Sequence, residues 1–75
     1  MFEKVKKILV EELQINEDDI TLDSALINDL GINSLELADL AVTCEDEFDI
    51  EINEDDMRKF ITVRDVVEYL EALEG

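Results

Sequence analysis

The sequence predicts an all-α protein, a small four-helix bundle with a long first loop and a short third helix. Apolar residues recur at helical spacing, strand-like alternation is rare, and the chain contains no proline. A length of 75 residues suits one domain with one small core, so residues 1–75 are expected to form a single domain. With 47% hydrophobic but only 5% aromatic residues, that core should consist mainly of Leu, Ile and Val.

The first predicted helix covers roughly residues 2–14. Its apolar residues at helical spacing are Phe2, Val5, Ile8, Leu9 and Leu13. Three of the six basic residues, Lys4, Lys6 and Lys7, lie on this helix and are interpreted as a solvated face. The next base is Arg58, so residues 8–57 form an uninterrupted acidic field.

Residues 15–33 form a long connection, which in a small domain is usually functional or anchored to the core. The apolar residues predicted to anchor it are Ile20, Leu22, Leu26, Ile27 and Leu30. A single turn near Ser24 to Asn28 fits the pattern. The acidic run Glu17-Asp18-Asp19 could attract divalent cations, but it lacks the glycine and terminal glutamate of a calcium loop. We therefore expect no specific metal site.

The start of the second helix carries the candidate functional residue. Gly31 is the only glycine before the C-terminus and predicts a sharp or positive-φ turn. Asn33 is a good N-cap, and Glu36 would complete a capping box. In that case the Ser34 hydroxyl can face solvent at the positive end of the helix dipole, where a phosphate ester is favoured. Alternatively Ser34 is itself the cap, which is the commoner arrangement on spacing alone.

The second helix, running to about Phe48, has two different faces. Its predicted core face contains Leu37, Leu40, Ala41, Cys44 and Phe48. The opposite face carries candidate partner-docking residues, in which acids would steer and apolar side chains would anchor a partner. These residues are Leu35, Glu36, Asp39, Val42, Asp46 and Glu47. Scattered surface apolar residues are the alternative interpretation, but proximity to Ser34 favours docking.

Two further helices complete the predicted bundle. Asn53 is predicted to begin a short third helix, with Met57 and Phe60 facing inward. Thr62 is predicted to cap a fourth helix, with Asp65 three residues later. The apolar stripe of this last helix consists of Val63, Val66, Val67, Leu70 and Leu73.

Charge and composition exclude several classes of function. A formal net charge of −16 argues against nucleic acid and anionic membranes as partners, and favours basic protein surfaces. There is neither a signal-peptide pattern nor an apolar run near the roughly 20 residues of a membrane span, so a cytoplasmic monomer is expected. The chain has no histidine, and its lone Cys44 lies beside Glu45 and Asp46 at an apolar helical position. We expect an inert cysteine, no catalytic residue and no enzymatic activity.

The residues around Ser34 resemble those of the acyl carrier proteins, and the resemblance extends over essentially the whole chain. The matching residues are Asp29-Leu30-Gly31-x-Asn33-Ser34-Leu35, Glu36, Asp39, Leu40 and Glu45-Asp46-Glu47-Phe48. The family usually has aspartate where this chain has Asn33. Asparagine caps equally well but lacks the charge. The Gly-Gly pair common before the serine of peptidyl carriers is absent.

This resemblance implies a function, a cofactor and partners. Ser34 would be esterified by 4'-phosphopantetheine donated by coenzyme A, and the thiol of that arm would carry acyl intermediates as thioesters. The implied pathway is fatty acid synthesis or related lipid or polyketide synthesis. The implied partners are a phosphopantetheinyl transferase and acyl-transferring and synthase enzymes with basic docking surfaces. On charge alone, a small acidic helical protein that inhibits a basic partner is the alternative, but it gives no reason for the arrangement of Gly31 and Ser34.

Overall fold

The computed structural model describes residues 1–74, with side chains for residues 1–73, so the predicted domain limit at Gly75 lies outside the described residues. Four α-helices are present in the described part: α1 (Phe2–Leu13), α2 (Ser34–Phe48), α3 (Glu54–Met57) and α4 (Val63–Glu74). The all-α class, the helix order and the short third helix are confirmed. No β-strand occurs among residues 1–74, where Ala25 and Thr62 form an isolated antiparallel bridge.

The core lies where α1 packs against both α2 and α4. As predicted, it is mostly aliphatic, and its largest fully buried side chains are Leu9, Leu26, Leu40, Leu70, Val5, Val63, Val66 and Cys44. Two predicted core residues are wrong. Ile27 is 52% exposed because it follows buried Leu26 in a tight turn and points outward. Leu73 is 49% exposed because α4 continues beyond Leu70, which is the last buried residue among the side chains described up to position 73.

The loop between α1 and α2 is anchored to the core and to the start of α4. Ile20 and Leu26 are buried as predicted, whereas burial of Ile32 was not predicted. The Leu26 N–H donates to the Ile61 carbonyl at 2.8 Å, and the Val63 N–H donates to the Ser24 carbonyl at 3.0 Å. These bonds satisfy backbone groups that a buried loop would otherwise leave unpaired.

The acidic run Glu17–Asp19 forms a 3₁₀ turn, which the sequence pattern did not predict. Asn16 caps this turn by accepting the Asp18 N–H at 3.0 Å. Within the described residues, no group of three or more acidic or cysteine side chains is arranged to hold a metal ion. The cap formed by Asn16 therefore gives a structural reason for the turn at Glu17–Asp19.

Polar caps also begin the last two helices, as predicted. Asn53 Oδ1 accepts the Asp56 N–H at 2.8 Å at the start of α3. At α4, Thr62 Oγ1 accepts the Asp65 N–H at 3.3 Å, while the Asp65 carboxylate accepts the N–H groups of Thr62 at 3.0 Å and Ile61 at 2.9 Å. These backbone bonds lower the pKa of Asp65, because they favour its charged form. None of the described helices has the length and apolar character needed to cross a membrane.

Candidate functional site

The turn before α2 depends on Gly31, whose φ of +71° confirms the predicted positive-φ turn. A Cβ at this position would have no neighbouring atom within 4 Å, so steric crowding does not explain the glycine. The backbone conformation does, because L-residues with a side chain are strained in the left-handed region. The turn is closed by the Ile32 N–H, which donates to the Leu26 carbonyl at 3.0 Å.

Asn33 is the N-cap of α2, and it forms a complete capping box with Glu36. Its backbone is extended (φ −92°, ψ 178°), and its Oδ1 accepts the Glu36 N–H at 2.8 Å. In return, Glu36 Oε1 accepts the Asn33 N–H at 3.2 Å. The capping role predicted for Asn33 is therefore confirmed, and the alternative in which Ser34 is the cap is wrong.

Ser34 is the first residue of α2, and it is exposed. In the part of the chain that the structure describes, its hydroxyl takes part in no cap bond, because Asn33 performs that role. The first N–H to bond back into the helix is that of Leu37, which donates to the Asn33 carbonyl at 2.9 Å. The Ser34 and Leu35 N–H groups precede it and lie at the positive end of the helix dipole. An exposed hydroxyl in this environment fits a covalently attached phosphate ester.

Ser24, the other serine of the chain, lies in a very different environment. It is 7% exposed. Its Oγ accepts the Thr21 N–H at 3.0 Å, lies 2.9 Å from Thr21 Oγ1 and donates to the Asp19 carbonyl at 3.0 Å. A buried hydroxyl with all these partners holds the loop together and is inaccessible to a modifying enzyme.

The outer face of α2 presents four of the six predicted docking residues as one exposed strip. Leu35 is 79% exposed and Val42 is 55% exposed, and the side chains of Asp39 and Asp46 are exposed between and beyond them. With about 3.6 residues per turn, these positions share one face. We call Leu35, Asp39, Val42 and Asp46 the α2 strip.

The other two predicted docking residues lie beside the α2 strip. Glu36 is half-buried, and its carboxylate already accepts the Asn33 N–H. Glu47 is exposed on the flank that faces α1, where it lines a groove together with Lys4 and Lys7. Glu36 and Glu47 can both add negative charge near the α2 strip, but Glu36 also completes the capping box of α2.

The inner face of α2 is buried as predicted at Leu37, Leu40, Ala41 and Cys44. Phe48 is only half-buried, and the Lys4 ammonium lies 5.9 Å from the centroid of its ring. Burial, together with the charges of Glu45 and Glu47, raises the pKa of the Cys44 thiol to about 11. The predicted inert cysteine is confirmed, since a buried thiol with a raised pKa is a poor nucleophile.

An apolar groove close to Ser34 was missed by the sequence analysis. It is lined by Ala25, Ile27, Asn28, Leu37, Arg58, Phe60 and Ile61. Leu37 lies three residues after Ser34, so the groove reaches to within about one helical turn of it. Ile61 is 64% exposed and follows buried Phe60, just as exposed Ile27 follows buried Leu26. These two buried–exposed apolar pairs are the signal that could have indicated the groove.

Comparison with known proteins agrees with this geometry. Residues 3–70 match the family model described as "Phosphopantetheine attachment site". The chain is 46% identical over 70 residues to the acyl carrier protein of Clostridium perfringens (strain SM101), covering 93% of this chain and 92% of the relative. It is 40% identical over 74 residues to the acyl carrier protein of Campylobacter lari, covering 99% and 96% of the two chains. This chain belongs to the acyl carrier protein family.

Membership of this family confirms several predictions. Acyl carrier proteins are carriers and not catalysts, and they hold a covalently attached 4'-phosphopantetheine. They act together with synthase and transferase enzymes, typically in fatty acid synthesis. The alternative of an acidic inhibitor of a basic enzyme gains no support from the comparisons.

Proposed function

We propose that Ser34 is the residue to which the 4'-phosphopantetheine of this acyl carrier protein is attached. One observation carries the proposal: of the two serines, only Ser34 is exposed with a hydroxyl free of cap bonds, at the start of a helix. Ser24 is buried and hydrogen-bonded. Attachment at Ser34 would also leave the fold intact, because Asn33 and Glu36 maintain the N-terminus of α2.

The chain itself contributes position and charge. When bound, the group supplies a mobile thiol, which buried Cys44 cannot provide. Ser34 offers the hydroxyl to be esterified. The N-terminus of α2 favours the negative charge that the phosphate ester brings.

The α2 strip is proposed as the docking surface for partner enzymes. Asp39 and Asp46 would attract basic surfaces on the phosphopantetheinyl transferase and on acyl-transferring and synthase enzymes. Leu35 and Val42 would bury apolar area against them. Glu36 and Glu47 would add charge at the margins. The strip begins at the residue after Ser34, so a docked enzyme would lie next to the attachment point.

We also propose that residues 1–75 form one carrier domain and that the protein is cytoplasmic. The family match over residues 3–70 and the shared core of α1, α2 and α4 support one carrier domain spanning 1–75. A monomeric state and a cytoplasmic location remain predictions.

The test of Ser34 is enzymatic loading followed by mass spectrometry. Wild-type protein and Ser34→Ala would be incubated with coenzyme A and a broad-specificity phosphopantetheinyl transferase. We expect the wild type to gain one group, mapped to the Ser34 peptide, and the variant to gain none while keeping the wild-type circular dichroism spectrum. Modification of the variant, or mapping of the group to Ser24, would refute the proposal.

A further inference from the structure

Asparagine caps three helical segments of this protein, and each cap uses the same half of the side chain. In every case Oδ1 accepts a backbone N–H from the first turn. The donors are Asp18 to Asn16 at 3.0 Å, Glu36 to Asn33 at 2.8 Å, and Asp56 to Asn53 at 2.8 Å. The carboxamide NH₂ group has no part in these bonds. Across the described residues, no hydrogen bond engages Nδ2 of Asn33, which is exposed.

Asn33 differs from the other two caps in its neighbour on the C-terminal side. Asn16 and Asn53 each precede a glutamate, whereas Asn33 precedes the exposed Ser34. The carboxylate of Glu36 is already committed to the Asn33 N–H. The chain has a net charge of −16, yet the residue before Ser34 is the neutral Asn33. Its NH₂ group has two donor hydrogens that no protein group accepts among the described residues.

We propose that Asn33 is a positioning residue for the phosphodiester of the attached arm. Its Oδ1 holds the start of α2 while its Nδ2 donates to the phosphodiester oxygens. This inference rests on the proposed attachment at Ser34. Hydrogen bonds to an ionised acceptor are stronger than neutral ones, and they would restrict the arm at its root. An aspartate would preserve the cap but would place a second negative charge against the phosphodiester.

The experiment compares unloaded and loaded protein by NMR, after mass spectrometry has shown that Ser34 is modified. In the wild type, solvent exchange of the Asn33 side-chain NH₂ should slow on loading. The NH₂ groups of Asn16 and Asn53 should be unaffected, since they cap in the same way and have no serine beside them. A purely structural cap would show no such selective protection.

A second measurement uses Asn33→Asp with Asn53→Asp as the matched control. The introduced carboxyl at position 33 should bind its proton about threefold more tightly after loading, as expected for two unit charges several ångströms apart in water. High salt should reduce this difference. The carboxyl introduced at position 53 should titrate identically in both forms.

The possible failures are distinguishable. If Ser34 is loaded but either the NH₂ exchange or the carboxyl titration is unchanged, the role of Asn33 is refuted and the attachment site stands. If the NH₂ exchange or the carboxyl titration changed equally at position 53, the role of Asn33 would also be refuted, because loading would then affect the whole protein and not the site beside Ser34. If no group is found on Ser34, the proposed attachment and this inference both fail.

Discussion

At the scale of single residues, capping and the proposed attachment fall to two neighbouring residues at the start of α2. Asn33 satisfies the first-turn donor, and Ser34 is left with an exposed hydroxyl. Because the cap is made by Asn33, attachment at Ser34 as proposed would leave the cap intact. The same separation allows stability and function to be tested independently.

Unfolding of the unmodified protein by urea should show this separation. Asn33→Ala should lower the free energy of unfolding by about 1 kcal/mol, the usual cost of losing an N-cap. Ser34→Ala should change it by no more than about 0.5 kcal/mol, since it removes only an exposed hydroxyl. If Ser34→Ala costs as much as Asn33→Ala, the hydroxyl contributes to the cap after all.

Cys44 makes a prediction for alkaline pH. Its pKa is raised by burial from 9.0 to about 11, so the folded state retains a proton that the unfolded state loses. The stability associated with the neutral thiol is complete below about pH 9, and it is lost as the pH rises through 11. Between these values the free energy of unfolding should fall by roughly 1.4 kcal/mol per pH unit from this group.

The matched control is Cys44→Ala, measured by urea unfolding across the same pH range. Tyr69 also has a raised pKa, from desolvation and from its hydroxyl donating to Asp56 at 2.9 Å, and it is retained in both proteins. The difference between the two slopes therefore isolates the thiol. Identical slopes would show that Cys44 titrates normally and is not desolvated.

At the scale of elements, α2 combines a buried face with an exposed acidic and apolar one. Charge reversal by Asp39→Lys or Asp46→Lys should slow association with the transferase, mostly through the on-rate. The effect should shrink as salt rises, because exposed charges are screened over about 8–10 Å at physiological ionic strength. Stopped-flow or surface-binding kinetics at several salt concentrations would measure both quantities.

Two comparisons make this test specific to the α2 strip. Val42→Ala should raise the off-rate with little dependence on salt, because it removes apolar contact area and no charge. Glu11→Lys and Glu12→Lys on α1 make the same change of charge at exposed positions outside the strip. If these α1 variants slow association equally, the overall field steers the partner and the strip has no specific role.

At the scale of the whole molecule, negative charge opposes folding. The chain has 22 acidic and 6 basic residues, and α1, α2 and α3 have no base in the last turn. Three ion pairs involve largely exposed carboxylates, so each contributes little to the free energy of unfolding. They are Lys6–Glu17 (3.4 Å), Arg58–Glu54 (3.0 Å) and Arg64–Asp23 (2.7 Å). A domain of this size has about 5 kcal/mol of stability or less, and the self-repulsion of its net negative charge acts against that small total.

Added salt should therefore raise the melting temperature, and magnesium and calcium should act at lower concentrations than sodium. Because neutralisation is diffuse, the two divalent ions should have similar effects that saturate gradually. Thermal melts and calorimetric titrations with both ions test this. A single tight calcium site that ignores magnesium would contradict it and indicate a dedicated calcium-binding loop.

The sequence alone determined the features that depend on local interactions. Helix periodicity, the asparagine cap of α3 and the positive-φ glycine each involve residues within a few positions of one another, and all were predicted. The predicted limits of α1 and α2 agree with the structure to within about one residue, whereas spacing alone left the cap of α2 open between Asn33 and Ser34. The family pattern around Ser34 is equally local. These features need no knowledge of distant contacts.

The tertiary structure decided which loop side chains are buried and which serine is accessible. Leu26 and Ile27 are adjacent apolar residues, yet only Leu26 is buried, and its N–H donates to the distant carbonyl of Ile61. Ser24 is enclosed by the same junction, through its carbonyl bond to the Val63 N–H. These contacts join positions more than thirty residues apart, and an irregular loop has no periodicity from which to predict them.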